Sequence, residues 1–146
     1  MSPVEAALVR RKLATIARNL DDLAPIASLS MEAYRADRFR QKGTERLLQE
    51  LIEAAVDTNL HLLRAHGAPA PTDYFQSFIQ VGRAGIIPAL LAEQLAPSSG
   101  LRNRLVHEYD RIDDTIVLAS VREARERFPD FIAAIERHLH EHDVRA

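Results

Sequence analysis

Apolar residues recur along this chain at intervals of three and four positions, the spacing that places side chains on one face of an α-helix. In the first segment the stripe runs through Leu13, Ile16 and Leu20, and similar stripes follow toward the C-terminus. The pattern predicts six helices, over about Val4–Ala27, Thr44–His66, Phe75–Val81, Ile86–Leu95, Leu101–Asp110 and Asp114–His140. Alternation of apolar and polar residues, which would indicate strands, does not persist for a useful length.

Capping residues mark where some of these helices should begin. Thr44 is an expected N-cap, as is either Thr72 or Asp73, because their side-chain oxygens can accept hydrogen bonds from free backbone N–H groups. Gly82 and Gly85 are expected to form a turn between two short helices.

Prolines and polar residues interrupt the pattern at several places. Pro25 can bend the first helix, and the Ala-Pro-Ser-Ser-Gly stretch at 96–100 should be a break. Pro129 should kink or split the last helix, because proline lacks a backbone donor and crowds the preceding turn. The charged segment 31–43 is less periodic, and its sequence is compatible with either a helix or a solvated connection.

These features predict an all-α fold, a compact antiparallel bundle of about five to six helices in a single domain over residues 1–146. The hydrophobic fraction of 47% and the charged fraction of 27% are typical of a globular protein and exclude wholesale disorder. The chain has no cysteine, which excludes disulfides and thiolate chemistry. The N-terminus lacks export features, and no apolar stretch approaches the roughly 20 residues of a membrane span, so we expect a cytosolic protein without membrane contact.

The charge balance limits how the chain can meet nucleic acid. There are 19 basic and 21 acidic residues, which gives a net charge of -2. A protein of this charge has no general attraction for phosphate, so any RNA contact must come from a local group of basic residues.

One segment, Leu101 to Tyr109, combines residues that suit phosphodiester cleavage. Histidine can take up or release a proton near neutral pH, and arginine can stabilise charge on phosphorus through its planar, permanently charged guanidinium. On a helix, Asn103 and His107 share a face because they are four residues apart. Arg102 is five residues from His107, but its long side chain at the helix start could reach the same pocket.

The motif Arg102-Asn103-Arg104-Leu105-Val106-His107-Glu108-Tyr109 resembles the R-x-x-x-x-H-x-Y signature of HepT-like toxins in the HEPN superfamily. The resemblance covers most of the chain. Asp73-Tyr74-Phe75-Gln76-Ser77-Phe78, then Gly85-Ile86-Ile87-Pro88 and then Asp113-Asp114 follow the order that this family uses. The resemblance therefore implies a HEPN-like bundle.

The resemblance also implies a function. Members of this family are metal-independent endoribonucleases of toxin–antitoxin pairs of the type VII kind, and need no cofactor. Carried over to this chain, Arg102 and His107 would be the catalytic pair and Asn103 would assist them. The family implies a homodimer in which two copies of the motif line one cleft that accepts RNA.

The partner that the resemblance implies is an MNT-type nucleotidyltransferase antitoxin, which inactivates the toxin by transferring AMP to the motif tyrosine, here Tyr109. Arg104 has no role in that scheme. It could bind phosphate, or it could pair with Glu108 at four residues' distance.

Simpler interpretations exist for several of these residues. Tyr109 could be a packing residue at a helix end, and Phe75 and Phe78 are expected in the core. Asp57 and His61 could line the same cleft but are expected to form a surface ion pair, and His138 and His142 could share a helix face without binding metal. The alternative function is a non-catalytic helical binding partner, or substrate-presenting subunit, of a nucleotidyltransferase.

Overall fold

The computed structural model describes the backbone of residues 2–145 and the side chains of that range except those at positions 4 and 143–145. Within it lie eight helices and no strand, which confirms the all-α prediction. Six helices have seven residues or more, and two are short. In chain order they are α1 (Pro3–Asp22), α2 (Ala24–Ala27), α3 (Met31–Arg35), α4 (Arg38–Ala65), α5 (Tyr74–Arg83), α6 (Ala89–Leu95), α7 (Ser98–His107) and α8 (Asp114–Arg145).

Aspartate side chains cap the starts of α4 and α5. Asp73 accepts a hydrogen bond from the Gln76 N–H at 2.8 Å and caps α5. Of the two predicted caps, Thr72 and Asp73, the structure therefore selects Asp73. The prediction that Thr44 caps the second long helix is wrong. Asp37 caps it, so α4 begins at Arg38 and includes the charged stretch up to position 43. Thr44 lies inside α4, where its hydroxyl donates to the Arg40 carbonyl.

The predicted interruptions differ from the observed ones. The first helix does not continue to Ala27 with a bend at Pro25, because α1 already ends at Asp22 and Pro25 lies in the separate short helix α2. The prediction of a break over residues 96–100 is wrong for most of that stretch, because α7 already begins at Ser98, directly after Pro97. α8 continues through Pro129 as one helix, so that proline does not split it.

The two glycines predicted to share a turn have different roles. Gly85 makes the turn, with a φ of 75° that favours glycine. Gly82 lies inside α5, where an added Cβ would come within 2.6 Å of the Cβ of Ala92. Gly82 therefore allows α5 and α6 to approach closely, and the predicted helix start at Ile86 moves to Ala89.

The long helix α4 lies at the centre of the bundle. It packs against α1, α5 and α7, while α8 packs against α1, α2 and α6. Phe78 of α5 and Phe128 of α8 both make edge-to-face contacts with Phe131, and all three rings are buried. This packing fixes α5 and α7 on neighbouring faces of α4. No helix in the described part of the chain is long and apolar enough to cross a membrane.

Candidate active site

Helix α7 carries the Arg–His motif and is anchored by two leucines. Leu101 and Leu105 are four residues apart, both are buried, and α7 packs against α4. The helix ends at His107, where the Glu108 N–H donates to the Arg104 carbonyl at 2.9 Å. The predicted extension to Asp110 is wrong. The motif residues between and beside the two leucines therefore point away from the core.

Arg102 is held in place by contacts on two sides. Its Nε donates to Oε1 of Glu53 in α4 at 3.0 Å, and its Cζ lies 5.0 Å from the centre of the Tyr74 ring at the start of α5. Only 19% of the Arg102 side chain is exposed. A cation over an aromatic face and a hydrogen bond to a carboxylate both stabilise the guanidinium in one orientation.

The carboxylate that holds Arg102 is itself oriented. Gln49, one turn earlier in α4, donates from Nε2 to Oε1 of Glu53 at 3.1 Å. Nη1 of Arg102 also donates weakly to Oδ1 of Asn103, at 3.4 Å. Because a guanidinium has five N–H donors, these contacts leave donors free for a phosphate oxygen.

A shallow groove of about 300 Å³ lies beside Arg102 and Asn103. It separates the start of α5 from the start of α7, and its other lining residues are Asp73, Tyr74, Phe75, Ser99 and Gly100. Phe78 is fully buried, as predicted, but the prediction that Phe75 is a core residue is wrong. This residue is 42% exposed and forms part of the groove.

His107 is the last residue of α7 and is exposed, whereas Arg102 lies in the middle of the helix and not at its start as predicted. Among the described residues, no hydrogen bond joins His107 to Arg102 or to Asn103. Asn103 and His107 keep the four-residue helical spacing, since α7 is regular as far as His107. Arg102 does not turn toward His107, as its length would have allowed, because Glu53 and Tyr74 hold it.

Tyr109 follows α7 in a turn and is 69% exposed. Tyr109 therefore does not pack against the rest of this chain, as the simpler interpretation of a packing residue at the helix end would require. The phenol is accessible to another protein, two residues after His107.

Arg104 lies on a different side of α7 from Arg102. It is exposed and lines two grooves of about 440 and 190 Å³ between α7 and α8, together with Leu101 and Ile116. No salt bridge joins Arg104 to Glu108 within the described residues, so the suggested ion pair is absent. Arg104 is therefore an exposed cation within the motif.

The two other residue pairs singled out in the sequence, Asp57 with His61 and His138 with His142, make contacts outside α7. Asp57 does not pair with His61 but forms a salt bridge with Lys12 of α1, with 3.1 Å between Nζ and Oδ2. The rings of His138 and His142 stack with 4.0 Å between their centres, as a shared helix face predicts. Burial, followed by the charges of His142 and His66, lowers the pKa of His138 below its ordinary value.

Sequence reasoning missed Glu53 and Gln49, and did not give Tyr74 a role. The Gln49–Glu53 spacing of four residues is a signal that both lie on one face of α4. It does not indicate which distant residue they face. The contact between Glu53 and Arg102 spans 49 residues of sequence and arises only when α4 and α7 pack together.

The structure thus defines an all-α domain with a fixed arginine and an exposed histidine on one short helix. The family model described as ribonuclease HepT-like matches residues 16–136 of this chain. The chain belongs to the HepT-like family of HEPN ribonucleases.

Individual relatives agree with this assignment. The chain is 38% identical over 139 residues to the tRNA nuclease HepT of Aphanizomenon flos-aquae, a match that covers 95% of each protein. It is 27% identical over 129 residues to the mRNA nuclease HepT of Shewanella oneidensis, covering 88% of this chain and 96% of the relative. Its fold also matches that of the tri-AMPylated Shewanella oneidensis HEPN toxin in complex with MNT antitoxin. That match has a TM-score of 0.80 and 26% identity, and it covers 94% of this chain and 99% of the toxin.

Proposed function

We propose that this chain is a metal-independent endoribonuclease toxin that cleaves RNA with Arg102 and His107 and is silenced by an MNT-type nucleotidyltransferase. The observation that carries the proposal is the fixed position of Arg102. Its guanidinium is oriented by Glu53 and Tyr74 and still has donors free for phosphate. A preoriented cation is the feature that electrostatic stabilisation of a transition state requires.

The proposed reaction is transfer of the phosphodiester to the neighbouring 2'-hydroxyl of the RNA. The 2'-oxygen forms a bond to phosphorus as the bond from phosphorus to the 5'-oxygen breaks. A neutral imidazole takes the proton from the 2'-hydroxyl, and an imidazolium gives a proton to the departing 5'-oxygen. The products are a 2',3'-cyclic phosphate and a 5'-hydroxyl. Arg102 stabilises the charge on the non-bridging oxygens, and Asn103 adds an amide donor.

A homodimer would supply the two imidazoles that this scheme needs. Each protomer presents one His107 in the motif, exposed at the end of α7, with no partner of its own among the described residues. Two copies of α7 facing each other would place two His107 side chains in one cleft. They would also bring the motif arginines of both protomers into one cleft, a local group of basic residues that can attract phosphate although each chain has a net charge of -2.

Modification of Tyr109 is the proposed means of inactivation. Its exposed phenol can enter the active site of another enzyme. Transfer of AMP joins the phenol oxygen to the α-phosphorus of ATP and releases pyrophosphate. The adduct adds bulk and negative charge two residues from His107, so it would exclude RNA and repel its phosphates. The Shewanella oneidensis relative that is tri-AMPylated and bound to MNT antitoxin supports this proposal.

The test is cleavage of total cellular RNA by purified protein in excess EDTA. Wild-type protein should give defined fragments ending in a cyclic phosphate. Both His107→Ala and Arg102→Ala should remove them while the circular dichroism spectrum stays unchanged. His140→Ala replaces an exposed histidine of α8 and serves as the matched control.

Three results would contradict the proposal in whole or in part. Fragments that persist in both variants would come from a contaminating nuclease or another site. If wild-type protein cleaves no RNA and mass spectrometry shows that Tyr109 is unmodified, the alternative function as a non-catalytic partner of a nucleotidyltransferase would be favoured. Fragments that appear only after Mg²⁺ is added would show that the enzyme requires metal.

A further inference from the structure

Phe75 is an exposed aromatic residue at the start of a helix whose inner face is buried. It lies in the first turn of α5, whose inner face consists of Ser77, Phe78, Val81 and Gly82. Phe75 is not among the residues packed against the hydrophobic core, whereas the adjacent Tyr74 is. Exposing nearly half of a phenylalanine side chain is unfavourable in water, and here the ring lines a groove.

The groove beside Phe75 continues to the motif. Arg102 and Asn103 line one side, and Phe75 and Asp73 line the other. Its volume of about 300 Å³ is at the small end of ligand-binding clefts, which suits one planar ring system. At Gly100, which also lines the groove, no atom lies within 4 Å of where a Cβ would be, so this wall is open.

The charges in the groove give a bound nucleotide one preferred direction. Arg102 and Asn103 provide donors at one side, where a phosphate is favoured. Asp73 places a carboxylate at the other side, where a phosphate is repelled, and one of its oxygens already caps α5. The ring of Tyr74 is already in contact with the Arg102 guanidinium. The aromatic ring in this groove that is available to contact a ligand is therefore that of Phe75.

We infer that this groove binds an unpaired nucleobase of the RNA substrate, which stacks on Phe75 while its phosphate contacts Arg102 and Asn103. The inference rests on the proposed function, because it assigns the neighbouring phosphate to the same arginine. Stacking on aromatic side chains with cationic neighbours is how proteins hold single-stranded nucleic acid without reading its sequence. Phe75 is thus a substrate-binding residue, and the favoured substrate is single-stranded at the cleavage site.

The chain contains no tryptophan, so a single introduced indole can report on the groove. In a His107→Ala background that cannot cleave RNA, Phe75→Trp should lose fluorescence in a saturable way when a single-stranded 12-mer RNA of mixed sequence is added. A 12-mer of the same length that carries abasic sites should not quench it, because the phosphates remain but the rings are gone. Phe39→Trp is the matched control, since Phe39 is 92% exposed in the first turn of α4 and lies outside the groove.

A second measurement tests the effect on catalysis. With His107 intact, Phe75→Leu should raise KM for single-stranded RNA about tenfold, since stacking is worth about 1–3 kcal/mol per base, and should change kcat little. Phe75→Tyr should restore the wild-type KM, because it keeps an aromatic ring. Phe39→Leu should leave KM unchanged.

The outcomes separate this inference from the proposed function. Cleavage that depends on His107, with no quenching in the Phe75→Trp variant and no change in KM for Phe75→Leu, would overturn the stacking inference alone. Quenching by a purified nucleotidyltransferase partner but not by RNA would make the groove a protein contact and overturn it as well. If neither RNA cleavage nor RNA binding by fluorescence anisotropy occurs, both proposals are wrong.

Discussion

The two halves of α7 differ in how completely the fold orients their side chains. In the N-terminal half, Arg102 is fixed by Glu53 and Tyr74, which belong to two other helices. At the C-terminal end, His107 and Tyr109 are exposed, and no hydrogen bond, salt bridge or ring contact among the described residues orients their side chains. If the proposed function is correct, one protomer would build the phosphate-binding part of the site by itself. The proposed proton-transfer part would then be open to a second molecule, either another protomer, the RNA or the modifying enzyme.

Tyr109→Phe should abolish inactivation of the toxin by the nucleotidyltransferase without affecting RNA cleavage. We expect its effect on cell growth to be the largest of those predicted. The variant keeps the ring but has no oxygen to accept AMP. RNA cleavage in vitro should stay within about twofold of wild type, because the phenol takes no part in the proposed proton transfers. Growth of cells that also express the nucleotidyltransferase should nevertheless stop. Full protection of those cells would mean that the partner silences the toxin without this tyrosine.

Glu53→Gln should release Arg102 and lower the rate of RNA cleavage by about tenfold to a hundredfold. The change removes a charged hydrogen-bond acceptor worth about 1.5–3 kcal/mol and lets the guanidinium move. Because Glu53 is a positioning residue that acts through Arg102, the double variant Glu53→Gln, Arg102→Ala should be no less active than Arg102→Ala alone. Asp57→Asn, one turn further along α4, breaks the surface pair with Lys12 and serves as the control. Additive losses in the double variant would contradict the positioning role.

Gly82→Ala should test how tightly α5, which carries the Tyr74 ring beside Arg102, packs against α6. The new methyl would lie 2.6 Å from the Ala92 Cβ, so α5 and α6 must separate. We expect a loss of about 1–3 kcal/mol in the free energy of unfolding, measured by urea denaturation, as in other overpacked cores. Gly100→Ala adds a methyl in open space within α7 and should cost nothing. Equal stability of the two variants would show that the α5–α6 contact is not tight.

The pH dependence of stability should contain a small contribution from His138, remote from both ends of α7. Burial lowers its pKa in the folded state below the ordinary 6.5, so the unfolded chain binds the proton more readily. The contribution is fully present above pH 6.5 and is lost as the pH falls through the lowered folded-state pKa. The stability of His138→Gln relative to wild type should therefore rise as the pH is lowered from about 7.5 to about 5. A difference that is constant over this range would show that His138 does not titrate differently in the folded state.

The sequence predicted the helices more reliably than their ends. Periodicity located the six longer helices because their buried stripes are local patterns. The start of α4 was placed six residues late, because Asp37 competes with Thr44 as a cap and the charged turn after Asp37 has no apolar stripe. Similarly, α8 continues through Pro129, although the local sequence predicted a kink or a split there.

The sequence by itself determined that the chain is helical and that Arg102, Asn103 and His107 lie on one short helix, since both follow from local spacing. Only the tertiary structure decided which of those residues are fixed. Phe75 and Phe78 are three residues apart and look alike in the sequence, yet one lines a groove and the other is buried. The Glu53–Arg102 contact likewise joins residues 49 positions apart. Such contacts depend on how distant helices pack, and no local pattern contains that information.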